Sequence, residues 1–223
     1  MDKFIYQQWW KVLGCLLILY SVIAGILLPV PHMPILHETI RVVFFHVPMW
    51  IGMFVLFLLS VIFSILYLWT NKIKYDLFAV ECVNVGLVFF IFGLLSGMAW
   101  AQMAWGQAWS NDPKQTMSVI AFLLYTAYII LRSAMDEQQK CAKISSIYNV
   151  FAFPMMLVLL FILPRLTDSL HPGNGGNPAF GKYDSNAQIK SILYPAFLGW
   201  TLIAVWIASM RYRIRLLEDS FTH

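Results

Sequence analysis

The chain has 223 residues, 60% of them hydrophobic and 12% charged, with a mean hydropathy of +0.71 and a formal net charge of +4. A soluble domain carries about twice that share of charge, so a water-soluble globular reading is excluded. The Lys and Arg residues are spread over separate connections rather than gathered on one face, which argues against a nucleic-acid partner.

Apolar runs of 18 or more residues read as transmembrane helices, and six segments qualify. The first covers residues 9–30 and has no small-residue cleavage site, so it is expected to be a retained anchor. The second covers residues 42–70, long enough to tilt or to project past the bilayer. It opens on RVVFFHVPMW, which holds His46 and Pro48. Pro48 either bends the top of this span and aims His46 outward, or marks an irregular helix start. The third covers residues 77–100, with Glu81 expected at the interface. Then comes MAWAQMAWGQAWSNDPKQTM, with Trp100, Trp105 and Trp109 inside ten residues.

The fourth span covers residues 113–131 and has a clear start. Asp112 suits the N-cap, Pro113 the first helical position, and Gln115 the capping-box partner. Residues 100–111 are therefore expected to form the connection from the third span. The fifth span covers residues 144–163. The sixth, residues 192–210, follows a polar loop holding LHPGNGG and His171. No linker, repeat or low-complexity tract interrupts the chain. Residues 1–223 read as one all-α, polytopic membrane domain with six transmembrane helices.

Orientation follows from where the Lys and Arg residues lie. With a cytoplasmic N-terminus, ten of them face the cytoplasm and five, Arg41, Lys114, Arg165, Lys182 and Lys190, face outward. That favours both termini inside. The tryptophan stretch, residues 31–41 and residues 164–191 then face outward.

Cys15, Cys82 and Cys141 are far apart and form no C-x-x-C. Cys15 and Cys82 lie in or beside apolar spans and read as buried thiols, so neither disulfide exchange nor a zinc site is supported. No nucleophile–base pair or phosphate loop occurs, so the chain is not read as a stand-alone enzyme.

Two readings fit the tryptophans. Indoles gather at membrane interfaces because the ring is apolar and the N–H polar. Alternatively, three so close together make a flat aromatic shelf; if the stretch were helical, Trp105 and Trp109 would share a face. His46 lies among apolar residues, where an ionisable group is a functional candidate or a helix-end histidine bonded to a carbonyl. His171 is a second candidate or a solvated loop residue. His32 and His37 read as plain loop residues, and His223 is terminal. Imidazole binds iron, flat indoles pack against a porphyrin, and arginine forks onto carboxylates. Haem asks for all three.

WAQMAWGQAWSNDPKQT resembles the tryptophan-rich "WWD" signature of the haem-handling proteins of cytochrome c biogenesis, the CcmC and CcsA group. FFHVPMW resembles the H-V-P segment of the CcmC branch, and LHPGNGG that branch's second outer histidine. The resemblance covers essentially the whole chain. It implies that His46 and His171 are axial ligands of an exposed haem b, carried as transported substrate. It implies that the loop carrying Trp100, Trp105, Trp109 and Asp112 contacts the haem edge; from the residues themselves, Gly106 either lets the backbone come close or only makes a turn, and Arg41 and Arg165 are candidate propionate partners or topology residues. It further implies a bacterial inner-membrane location with the site facing the periplasm. The partners would be a membrane-anchored CcmE-like haem chaperone and CcmA/CcmB-like ABC transporter subunits. The chain departs from the usual W-G-x-x-W-x-W-D in having Asn111 before the aspartate, and its D-P-K-Q-T is closer to the CcsA-like branch. A CcsA-like subunit of a haem-attachment synthase therefore remains an alternative. A cytochrome b-type electron carrier lacks its second intramembrane histidine here, and a permease would show more charge at the membrane midplane.

Overall fold

The computed structural model describes residues 6–30, 37–171 and 186–221. His32, Lys182 and His223 lie outside the described residues. Within them every regular element is helical: α1 (Trp9–Leu27), α2 (Val43–Thr70), α3 (Ile73–Trp105), α4 (Pro113–Ser133), α5 (Gln138–Leu157) and α6 (Ala187–Phe221). All six belong to segments long and apolar enough to cross a membrane. The chain is a multi-pass, all-α membrane protein. A bilayer forces this choice, because each backbone N–H and C=O must find its partner within the spanning segment.

Two residues join α2 to α3. Asn71 takes the left-handed conformation (φ 54°) and donates its N–H to the Tyr67 carbonyl at 2.7 Å, the helix stop that Asn tolerates after Gly. So short a turn makes α2 and α3 antiparallel neighbours, and they form the most extensive helix pair. α3 is central: 67% of its most apolar window is buried, against 22–44% for the other spans. Phe57 of α2 stacks on Tyr125 of α4 at 3.7 Å beside Phe90 of α3. α6 packs on α2 and α3 and carries α1, while α5 packs on α2 and α4.

Several helix boundaries differ from the sequence expectation, and three of the differences have a clear physical reason. α3 begins at Ile73 and α6 runs on to Phe221 because charges at that end are paired within the bundle. Both Arg132 Nη atoms donate to Asp76 at 2.7 Å. Glu81 accepts from Arg211 at 2.6 Å and Arg215 at 3.0 Å. Glu81 is therefore not interfacial but 1% exposed. The third difference lies in α5, whose α-helix stops at Leu157. A π turn (Val158–Ile162) and a 3-10 turn (Leu163–Leu166) follow. Pro154 inside α5 and Pro164 in the 3-10 turn withhold two backbone donors from the ladder. Cys82 and Cys141 are buried, whereas Cys15 is exposed on α1.

A polar clasp joins three helices about one turn in from the paired charges. Asn149 of α5 donates to Ser60 and Ser64 of α2 at 2.6 and 3.0 Å, and Ser60 donates to the Ala79 carbonyl of α3 at 2.8 Å. Side-chain bonds of this kind join helices where no hydrophobic force separates protein from lipid.

Candidate functional site

The antiparallel run of α2 and α3 brings the start of one beside the end of the other. His46, in the first turn of α2, meets Ser96 and Gly97 of α3. Its Nδ1 lies 3.0 Å from Ser96 Oγ. The Ser96 hydroxyl proton goes to the Phe92 carbonyl at 2.7 Å, so the oxygen is left to accept from Nδ1–H. The hydrogen-bond network thus assigns the lone pair to Nε2. A Cβ at Gly97 would stand 2.9 Å from His46 Cε1, so glycine is what lets α3 pass the ring. Trp50, one turn further along α2, meets His46 edge-on at 6.1 Å. Pro48 lies inside α2, behind the 3-10 turn His37–Val42, so the helix continues through it.

His171 arrives from beyond the other end of α5. Its ring centroid is 6.4 Å from that of His46, with 43° between the planes. Trp100 meets His171 edge-on at 6.2 Å and Trp105 at 5.2 Å. Five rings in succession, Trp50, His46, His171, Trp100 and Trp105, therefore share one end of the bundle. Asp76 is 24 residues before Trp100 on α3, or about 36 Å at 1.5 Å per residue. The paired charges and the imidazoles therefore sit at opposite ends of a membrane-thick span.

The tryptophan stretch differs from expectation. Trp100 and Trp105 belong to the last turns of α3, not to the connection. The helix stops where Gly106 takes φ 79°, a left-handed conformation open to glycine. Trp105 and Trp109 consequently do not share a helical face. Trp109 lies in the loop, 37% exposed, and donates its ring N–H to Asn111 Oδ1 at 2.8 Å. Asn111 itself has φ 56°, which Asn tolerates better than Trp. That accounts for the departure from the W-x-W-D pattern.

Asp112 is the N-cap of α4, accepting from the Lys114 N–H at 2.9 Å. Gln115 does not close a capping box on Asp112. Its Oε1 accepts from the Ser110 N–H and hydroxyl, and its Nε2 donates to the Ala108 carbonyl, tying the loop to the helix it precedes. Arg41 is committed elsewhere: it donates to the Gly25 and Leu28 carbonyls at the end of α1 and pairs with Glu38 at 2.7 Å. Lys114 lies within Coulombic range of both His46 and Arg165, and Arg165 is exposed in the 3-10 turn Leu163–Leu166. Sequence reasoning misses Ser96, Gly97 and Trp50. The S-G pair near the end of a span is the available signal, but only the packing of α2 on α3 gives it meaning.

Among the described residues no three His, Cys, Asp or Glu side chains converge as a metal site. Two imidazoles in an aromatic setting suit a metal that brings its own equatorial ligands. A ring nitrogen bound to a first-row metal lies about 2 Å from it, so two imidazoles across one ion have centroids about 6 Å apart. The observed 6.4 Å matches.

The fold and the ring cluster at one end of it describe a polytopic, all-helical membrane protein. Residues 4–171 match the family model described as cytochrome C assembly protein, and the chain belongs to that family. It is 25% identical over 178 residues to "Heme exporter protein C" of Paracoccus denitrificans, covering 80% of this chain and 73% of the relative. The protein of the same name from Bradyrhizobium diazoefficiens is 23% identical over 177 residues, 79% of this chain and 67% of the relative. "Cytochrome c biogenesis protein CcsA" of Prochlorococcus marinus is 38% identical over 76 residues, 34% of this chain and 24% of the relative.

Proposed function

We propose that this chain holds haem b at the extracytoplasmic surface of the bacterial inner membrane and presents it to a membrane-anchored haem chaperone. The family and the relatives named heme exporter support a role in cytochrome c biogenesis with haem handling. His46 Nε2 and His171 are the axial ligands. Trp50, Trp100 and Trp105 flank the porphyrin, and Trp109 in the loop covers its exposed edge. Gly106 turns the loop so that Trp109 can reach that edge. Lys114 and Arg165 supply positive charge for the propionates, while Arg41 secures the end of α1. Both termini are cytoplasmic, and residues 1–223 act as one haem-handling unit alongside ABC transporter subunits.

The observation that carries this reading is the 6.4 Å separation of two imidazoles delivered by different parts of the chain. Haem supplies four equatorial nitrogens and asks the protein for two axial ones. Ser96 fits the same reading, since metal-bound histidines almost always donate their second ring N–H to a partner. The test is an absorption spectrum of detergent-purified protein. Wild type should show low-spin, bis-imidazole haem, and His46→Ala with His171→Ala should abolish it; an unchanged spectrum in the double variant refutes the ligand pair.

The matches to CcsA proteins and the D-P-K-Q-T stretch favour testing a second reading, in which the chain helps to attach haem to apocytochrome. Covalent cytochrome c formed with this chain as the sole maturation component would establish it.

A further inference from the structure

Asp112 does more than start α4. The residue is 5% exposed, and its carboxylate accepts from two separate parts of the chain. Oδ1 takes the Lys114 N–H at 2.9 Å. The Ser169 hydroxyl lies 2.9 Å from both carboxylate oxygens, and the Leu170 N–H donates to Oδ2 at 2.8 Å. Ser169 Oγ accepts in turn from the His171 N–H at 3.1 Å. The path from Asp112 to the backbone of His171 is thus two hydrogen bonds long, across 59 residues of sequence. Residues 167–171 belong to no helix, so regular secondary structure does not place that imidazole. A buried carboxylate that satisfies several donors is among the stronger polar anchors available.

We infer that Asp112 is a positioning residue for the haem ligand His171: its carboxylate fastens the Ser169–His171 segment to the start of α4, beside the tryptophan loop. This rests on the axial-ligand reading above. It separates two roles that sequence alone merges, because capping uses Oδ1 whereas the Leu170 N–H uses Oδ2.

Asp112→Asn divides these roles. Asn is as good an N-cap as Asp and keeps an acceptor for the Lys114 N–H. Its amide N–H2 then faces the Leu170 N–H, donor against donor. Ser169→Ala removes the relay without changing charge or cap. Both are purified as full-length protein beside wild type and His171→Ala, and the haem spectrum is recorded with and without added imidazole. Both variants should move from low-spin bis-imidazole toward the His171→Ala spectrum, and free imidazole should restore the low-spin form. Haem retention against a competing apo-haem protein should fall about tenfold, the size of a lost outer-sphere contact. If His171→Ala changes the spectrum while Asp112→Asn and Ser169→Ala keep that of wild type, Asp112 is a helix cap only and the inference is overturned. If His171→Ala itself keeps the wild-type spectrum, the axial reading has failed instead. Should Asp112→Asn not insert, Asp112→Ser decides, since serine keeps an N-cap oxygen but has no second oxygen for the Leu170 N–H: a shifted spectrum supports the inference and a wild-type one overturns it.

Discussion

Replacing Gly97 by alanine tests whether the imidazole of His46 must sit where it does. The new Cβ would lie 2.9 Å from His46 Cε1, half an ångström inside the 3.4 Å at which ordinary contact begins. His46 has Trp50 and His171 on other sides, so relief of the contact displaces or tilts the ring. Overpacking of this kind costs about 1–3 kcal/mol, and a ligand constellation tolerates displacement of only about 0.5 Å. If that cost falls on the haem-bound geometry, affinity drops roughly 5- to 150-fold. Alanine also favours the helix over glycine by about 0.5–1 kcal/mol, so thermal stability of the haem-free protein should change little. The assay is haem titration followed by absorbance, with a detergent melting curve on the same samples. Gly14→Ala is the reference: its Cβ would lie 3.1 Å from Leu202 Cβ, a crowded contact between α1 and α6 away from the two imidazoles. Wild-type affinity in Gly97→Ala, or equal losses in both variants, would refute the reasoning.

Ser96→Ala removes the acceptor for His46 Nδ1–H and should lower haem affinity about 10- to 100-fold; Ser96→Thr, which keeps the hydroxyl, should recover most of it in the same titration. Asp76→Ala strands Arg132, whose side chain is only 13% exposed, and should lower unfolding stability by about 3–5 kcal/mol without altering the haem spectrum. Arg211→Ala with Arg215→Ala should destabilise more than Glu81→Gln in chemical denaturation. The former leaves a buried carboxylate unpaired, whereas the latter leaves two half-exposed guanidiniums that can turn to water. Asn111→Ala should be less stable than Asn111→Gly by about 1 kcal/mol, because both lose the Trp109 bond and only alanine resists φ 56°; equal melting curves would show that the backbone there relaxes.

The six spans are legible because hydrophobic length is a property of local sequence, and Pro113 with Asp112 marks the start of α4 to the residue. The ends of α3 and α6 are not. Asp76, Arg211 and Arg215 look like loop charges until a partner on another helix neutralises them. Cap and hydropathy signals put Trp100 and Trp105 in a connection, although nothing before Gly106 in that stretch breaks a helix. The two histidines stand out as unusual ionisable residues, and their resemblance to a known signature pairs them. What holds them is hidden. Ser96 lies 50 residues from His46 and Asp112 57 residues from Ser169, and such pairings exist only after the helices have packed.

The two imidazoles are mounted differently. His46 is rooted in a helix flanked by α3 and backed by an indole, while His171 hangs from the far side of a π turn and a 3-10 turn. A clamp built from one stiff jaw and one jaw on a pivot opens at the pivot. Cargo exchange should therefore be paced by how readily the Ser169–His171 arm swings, with the stiff jaw keeping its hold until a recipient offers a replacement ligand on the vacated side of the iron. Off-rates that respond strongly to Ser169→Ala and weakly to changes in the α2–α3 contact would reveal that order of events; the opposite pattern would reverse it.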